Sequence, residues 1–297
     1  MKKALVIGSA GNIGKPLVKY LRECGYEVRE MDIKQGWRSG YYVGDITKAA
    51  DLLEPFSFNP DYVFHLAAVV SRVTCEQAPA SCIDTNIYGT QNVIEFTKRC
   101  GAKLINFSTS EVYGPEASVH SLENEKNLQP NNRYGMSKLI AEQLVEYEVK
   151  YHGLDAVTLR PFMMYDENED LGDHRSAMIR FAYNLHKGLP IDVHRGSMRG
   201  WLHVSDAVRL IEAATRVEKY NVINIGNPDV RPIEELADLI CTELNADRSL
   251  INYNEIPAQM TQIKNPSLVN QTELLHIQPK VTLEEGVKRV CQRISRL

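Results

Sequence analysis

Gly8-Ser9-Ala10-Gly11-Asn12-Ile13-Gly14 follows the apolar run Ala4–Ile7 and opens a stretch with helical spacing, Ile13–Cys24. Glycines at a strand-to-helix turn let the backbone bend sharply and approach a pyrophosphate, which then rests on the helix N-terminus. A glycine pattern alone also describes a plain turn. Here an acidic residue, Asp32, closes the next apolar run, Glu27–Met31. A carboxylate at that place accepts hydrogen bonds from an adenosine ribose and repels a 2′-phosphate. The expectation is a dinucleotide held through Gly8, Gly11, Asn12, Ile13, Gly14 and Asp32, with NAD preferred over NADP.

Working outward, the apolar runs Tyr62–Leu66, Leu104–Phe107 and Val157–Leu159 alternate with the helical patterns Asn86–Arg99 and Tyr134–Tyr151. Strand–helix alternation predicts an α/β fold with a doubly wound parallel sheet of Rossmann type. After Pro161 the pattern changes. Asp166–Arg175 reads as a polar loop, and Ala177–Lys187 as a helix. The expected division is a cofactor-binding domain over 1–161 and a smaller lobe over 162–297, with the site in the cleft between them.

Composition narrows the function. The 297 residues are 43% hydrophobic and 24% charged, with a net charge of −4, which speaks against a nucleic-acid binder. The six cysteines show no metal-ligand spacing, so reduced thiols and no metal are expected. Met1-Lys2-Lys3 precedes only the short run Ala4–Ile7, too brief for a signal core, and nothing approaches the ~20 apolar residues of a membrane span. A cytoplasmic protein without membrane contact is expected.

Tyr134-Gly135-Met136-Ser137-Lys138 places a phenol and an ammonium four residues apart, on one helix face. A phenol with a pKa of about 10 is a poor base at neutral pH, but a neighbouring cation favours its ionised form. Tyr134 is therefore the candidate general base for a hydroxyl that loses hydride from the same carbon.

Taken together these motifs resemble the short-chain dehydrogenase/reductase family, whose glycine spacing is GxxGxxG. Asp45-Ile46 resembles that family's adenine contact. His65-Leu66-Ala67-Ala68 resembles the strand end near ribose and nicotinamide, and Asn86 also fits the pattern. Thr109 then takes the Ser/Thr place of a Ser/Thr-Tyr-Lys triad with Tyr134 and Lys138. The whole chain is similar to the extended branch, the sugar-nucleotide epimerases, dehydratases and decarboxylases. Arg199-Gly200-Trp201-Leu202-His203-Val204-Ser205-Asp206 matches the branch's R-x-[FW]-x-[HY]-V-x-D segment, and the resemblance implies that Arg199 meets the substrate diphosphate. Asn224-Ile225-Gly226-Asn227 and the closing stretch from Pro279 to Gly286 also fit.

There are departures. Arg160-Pro161-Phe162-Met163 has Met where the branch usually has Asn, and Lys264 stands where a substrate-binding arginine is common. Lysine keeps the charge but loses the fork geometry. The resemblance implies transient oxidation at sugar C4, after which epimerisation, dehydration or decarboxylation is open. Thr109-Ser110-Glu111-Val112-Tyr113-Gly114 is most similar to UDP-glucuronate decarboxylases and 4,6-dehydratases, which makes Ser110 and Glu111 candidate catalytic residues. If the strand stays extended past Thr109, Glu111 faces the sugar. Arg72 is a candidate partner for a substrate carboxylate, though a solvated arginine is the plainer reading. A 4-epimerase and a 4-keto sugar-nucleotide reductase are the alternatives. The family's usual dimer predicts a homodimer through Asn86–Arg99 and Tyr134–Tyr151, with Ile87, Val93, Ile94, Leu139, Leu144 and Val145 available for packing.

Overall fold

The computed structural model describes residues 1–115, 121–172, 175–257 and 260–297; residues 173 and 174 of the expected Asp166–Arg175 loop therefore lie outside the described residues. Six parallel strands come from the first half: β1 (Lys3–Ile7), β2 (Glu27–Asp32), β3 (Tyr41–Val43), β4 (Tyr62–His65), β5 (Lys103–Phe107) and β6 (Asp155–Pro161). They lie in the order β6-β5-β4-β1-β2-β3, and Val222–Ile225 adds a seventh strand beside β6. All pairings are parallel. The order reverses between β1 and β4, and such a switch point opens a crevice at the carboxyl ends of the strands.

Alternation along β1 explains the layering. Ala4 and Val6 pack on one face against Leu17 and Leu21 of α1 (Gly14–Glu23). Leu5 and Ile7 pack on the other face with Leu52 of α2 (Ala49–Phe56). The same face receives Val93 and Ile94 of α5 (Thr90–Cys100) and Val145 of α6 (Arg133–His152). Side chains of successive strand residues point to opposite faces, so a run that is apolar throughout needs helices on both. Leu17 is wholly buried, and truncating such a leucine costs about 3 kcal/mol. Two short helices, α3 (Arg72–Gln77) and α4 (Pro79–Ile83), connect β4 to α5 and pack against α6.

The division at residue 161 is crossed by the packing. Val222–Ile225 completes the sheet, and helix Val204–Ala213 lies against α1 and shares its core. A separate core forms where helices Ala177–His186, Ile233–Leu244 and Leu283–Ile294 meet strands Ile191–His194 and Ile251–Asn254. Val93, Ile94 and Val145, expected at a dimer contact, face the chain's own sheet instead. The apolar side chains left exposed on that flank are Ile83, Tyr88, Met136, Tyr147 and Tyr151. Among the described residues no helix is long and apolar enough to cross a membrane.

Candidate active site

A cavity of about 940 Å³ runs along the carboxyl edge of the sheet, where Ile7, Asp32, Leu66, Phe107 and Pro161 mark the ends of successive strands. Its floor is the turn into α1. Gly8 has φ +90°, and a Cβ there would come within 2.7 Å of Ala67 N. A Cβ on Gly14 would stand 2.2 Å from Gly8 O. Both glycines are thus demanded by close backbone approach. Gly11, Asn12 and Ile13 complete this lining.

Asp32 lies at the end of β2. Its Oδ2 accepts from Ala10 N at 2.8 Å and its Oδ1 from Lys34 N at 2.9 Å, so the carboxylate is aimed by the turn itself. Asp45 and Ile46 line the same end, with Asp45 Oδ1 accepting from Thr47 N at 2.9 Å. Leu66, Ala67 and Ala68 line the middle. These residues fit a dinucleotide: a glycine cradle that any Cβ would fill, a helix N-terminus above it, and a carboxylate for a ribose diol.

Asn86 behaves differently. It is wholly buried, and its side chain grips the backbone of Val69: Oδ1 accepts from the N–H at 2.8 Å and Nδ2 donates to the carbonyl at 3.1 Å. Nδ2 also donates to Ser137 Oγ at 2.9 Å. Val69 lines the cavity and Asn86 does not, so Asn86 shapes the wall rather than touching what fills it.

Tyr134 and Lys138 both line the cavity from the first turns of α6. That helix begins where Asn132 caps it, Oδ1 accepting from Gly135 N at 2.9 Å. Burial pushes the Tyr134 phenol above its ordinary range; the nearby Thr109 hydroxyl works the other way, and Glu111 adds to the rise. Lys138 is buried and pushed down to about 8, an effect that the charge of Glu142 partly offsets. Glu142 is itself held by Arg160, which donates to it from Nε at 3.0 Å and Nη2 at 2.7 Å. Tyr134 and Lys138 thus share the cavity wall, with Thr109 beside the phenol.

Beyond Thr109 the sequence expectation fails in its geometry. The strand ends at Phe107, and Ser110–Tyr113 is a 3-10 turn that Thr109 caps by accepting from Glu111 N at 3.2 Å. Ser110 is buried in that turn. The Glu111 carboxylate pairs with Lys264 and accepts from Asn132 Nδ2 at 3.1 Å. Burial works against its charge, but Lys264, followed by Arg72 and Asn132, holds it down to about 2. Burial in turn lowers Lys264, against the pull of Glu111.

Arg199 is spent on backbone. Its Nη1 donates to Met198 O and Gln262 O, and its Nη2 to Thr261 O, each at 2.7 Å. Burial pushes it down to about 10. Arg72, Arg199 and Lys264 thus gather around one carboxylate, and none of these four residues lines the 940 Å³ cavity.

Two features escaped the sequence reading. Asn132 links the cap of α6 to Glu111; an Asn ahead of an amphipathic run is a capping signal that could have marked it. At the other wall, Asp166, Glu167 and His203 bring ligand-type atoms within 4.8 Å of one another. His203 Nε2 and Glu167 Oε2 lie 2.7 Å apart, and His203 Nδ1 is 2.7 Å from Ser205 Oγ, so the imidazole has a partner on each side.

Known proteins support the same assignment. The chain is 29% identical to a UDP-glucuronic acid decarboxylase of Danio rerio, covering 99% of this chain and 73% of that one. It is 28% identical to a UDP-N-acetyl-α-D-glucosaminuronate decarboxylase of Bacillus cytotoxicus, covering 98% and 97%. Its fold matches a UDP-glucose 4-epimerase of Thermotoga maritima, solved with UDP-glucose, with a TM-score of 0.91, 27% identity and 99% of both chains covered. Residues 4–226 match the family described as NAD dependent epimerase/dehydratase. With the glycine turn, the Asp32 carboxylate, Tyr134 and Lys138 along one cavity and this match over most of its length, the chain belongs to the NAD-dependent epimerase/dehydratase family.

Proposed function

We propose that this enzyme decarboxylates a nucleotide-linked uronic acid by way of a transient C4 ketone. The observation that carries this reading is the Glu111–Lys264 pair beside Thr109 and Tyr134. Expelling a C6 hydroxyl needs a proton donor, and a carboxyl held down to about 2 is ionised at neutral pH and a feeble base. Losing carbon dioxide from a β-keto acid needs no base at C5 and no acid at C6. It needs the ketone as electron sink, cations to seat the substrate carboxylate, and a proton from water for the C5 carbanion left when carbon dioxide departs. The relatives named for uronate decarboxylation support this choice.

Bound NAD supplies the hydride acceptor and, later, the donor. Tyr134 takes the proton of the C4 hydroxyl as hydride leaves that carbon, and returns it when the ketone is reduced again. Thr109 orders the phenol, and Lys138 stabilises its ionised form from the adjacent turn of the same helix. Asn132 and Lys264 hold Glu111 in place. Arg72 and Lys264 give the surrounding charge an excess of cations over the one carboxylate, which suits an anionic sugar. The enzyme acts as a homodimer, supported by the exposed Met136, Tyr147 and Tyr151 at helical spacing on α6, with Ile83 and Tyr88 nearby in the chain.

The test is direct. Purified protein is given UDP-glucuronate and UDP-N-acetylglucosaminuronate without added NAD, and carbon dioxide is measured. Release with formation of the corresponding pentose nucleotide is expected. Interconversion of UDP-glucose and UDP-galactose with no release from either uronate would establish the epimerase reading instead.

A further inference from the structure

Glu30 stands in β2 two residues before Asp32, on the same face of the strand. Its side chain is wholly buried. A carboxylate buried alone is costly, and this one is caught by two arginines. Arg22 Nη2 donates to Oε1 at 2.9 Å. Arg38 Nε donates to Oε1 at 2.8 Å while its Nη2 donates to Oε2, a two-pronged grip. Burial alone would raise the Glu30 carboxyl, but the bonds and charges of Arg38 and Arg22 hold it below its ordinary range. Arg38 is braced further by Tyr41, whose ring centroid is 4.5 Å from the guanidinium carbon. The Tyr41 hydroxyl in turn donates to Lys34 O at 2.6 Å, and Lys34 lines the cavity beside Asp32, so a single aromatic ring separates the guanidinium from the ribose end of the cavity.

A fork of this kind next to an adenosine ribose is what a 2′-phosphate requires. Here both prongs are taken by Glu30. We propose that Glu30 is a specificity-determining residue: by holding Arg38 on β2 it withholds the guanidinium from the 2′ position, so that the 2′-phosphate of NADP meets the Asp32 carboxylate and no fork. The plainer alternative is that Glu30 and Arg38 only tie the loop after β2 to the strand. The two differ in what happens when Asp32 is gone. If Asp32 acts alone, its removal brings out all the NADP binding that is available. If Glu30 acts too, a second gain remains latent and depends on Arg38.

Three proteins separate these cases: Asp32→Ala, Asp32→Ala/Glu30→Gln, and the triple variant with Arg38→Ala. Titration calorimetry gives the dissociation constants for NAD and NADP, and circular dichroism checks the fold. The double variant is expected to bind NADP about tenfold more tightly than Asp32→Ala, the scale of one charged hydrogen-bonded contact. NAD affinity should stay within about twofold, since NAD has no 2′-phosphate to meet the fork. The triple variant should lose the gain. Lys34 also lines the cavity but is present in every variant, so it drops out of the comparison. Equal NADP affinity in the first two proteins overturns the proposal, and so does a gain that survives in the triple variant. A fall in NAD affinity without any NADP gain overturns it as well and establishes the tie alone. Should the buried glutamine prevent folding, Glu30→Asp retracts the carboxylate from Arg38 by one methylene. A smaller gain in the same direction is then expected, and none refutes the idea.

Discussion

Lys264→Met removes the cation from the Glu111 pair and leaves a carboxylate that is 13% exposed without its main partner. The two side chains lie far apart in sequence and are nearly enclosed, so neither can turn to water without opening the fold around it. The gap between the ordinary 4.5 and about 2 at Glu111 corresponds to about 3 kcal/mol of preference for the ionised form. Breaking a buried pair by removing one partner costs about 3–5 kcal/mol, and the slight exposure here argues for the lower figure. Lys264→Met should therefore lose about 3 kcal/mol in urea unfolding at neutral pH. Glu111→Gln should lose a comparable amount, because Lys264 is then left with Arg199 and Arg72 for company. The double variant should lose clearly less than the sum, with a coupling of about 2 kcal/mol. The pH dependence gives an independent reading. A carboxyl whose folded pKa is depressed contributes stability that is present above about 4.5 and lost as pH falls toward 2. The wild type should shed that stability across this window, and Glu111→Gln should lack that part of the acid slope. Single losses that simply add, within about 0.5 kcal/mol, would show that the pair is not coupled and would remove the ground for reading Glu111 as locked.

Four further outcomes follow from the structure. Tyr134→Phe should fold normally, bind NAD and lose about 10²–10⁴ in turnover, with no transient reduced nicotinamide in stopped-flow absorbance; normal turnover would exclude it as the base. Glu111→Gln, in contrast, should still produce that transient, because the proton removed in the oxidation goes to Tyr134 and not to Glu111. The kcat/KM profile should fall above about pH 8 as Lys138 loses its proton, and Glu142→Gln, which removes the charge that raises Lys138, should shift this limb to lower pH; an unmoved limb would separate Glu142 from Lys138. Finally, Met163 sits at φ +35°, a left-handed conformation that Asn tolerates better than Met, so Met163→Asn should stabilise by about 0.5–1 kcal/mol and raise the thermal midpoint by about 1–2 °C.

What could be read from the chain was what lies close together along it. Gly8, Gly14 and Asp32 belong to one strand–turn–helix–strand unit, and their meaning depends on spacing alone. Tyr134 and Lys138 share a helix face, so their juxtaposition follows from α-helical geometry. The reading faltered where contacts are distant. Glu111 was placed on an extended strand, but the chain turns after Thr109 and sends the carboxylate to Lys264, a partner 153 residues away. Arg199 carries the motif's position, yet its guanidinium is taken by carbonyls that no side-chain pattern reveals. Val93, Ile94 and Val145 are apolar and helical, and nothing in that fact distinguishes a sheet-facing side from a partner-facing one. The strand Val222–Ile225 joins the first-half sheet because β6 offers it an edge, a decision made by topology and not by local composition.

The Arg199 clamp has an evolutionary consequence. It grips Thr261 and Gln262 through their carbonyl oxygens, which every amino acid possesses. This part of the anchoring is therefore independent of the segment's side chains, although the Thr261 hydroxyl adds a bond to Gly114 O at 3.3 Å. Substitutions at Thr261 and Gln262 can accumulate while the anchoring survives, and the neighbouring Lys264 keeps its place beside Glu111. A segment tethered by its main chain is free to vary in side-chain chemistry close to the reacting centre. The scaffold can in this way vary its side chains there without first surrendering its stability.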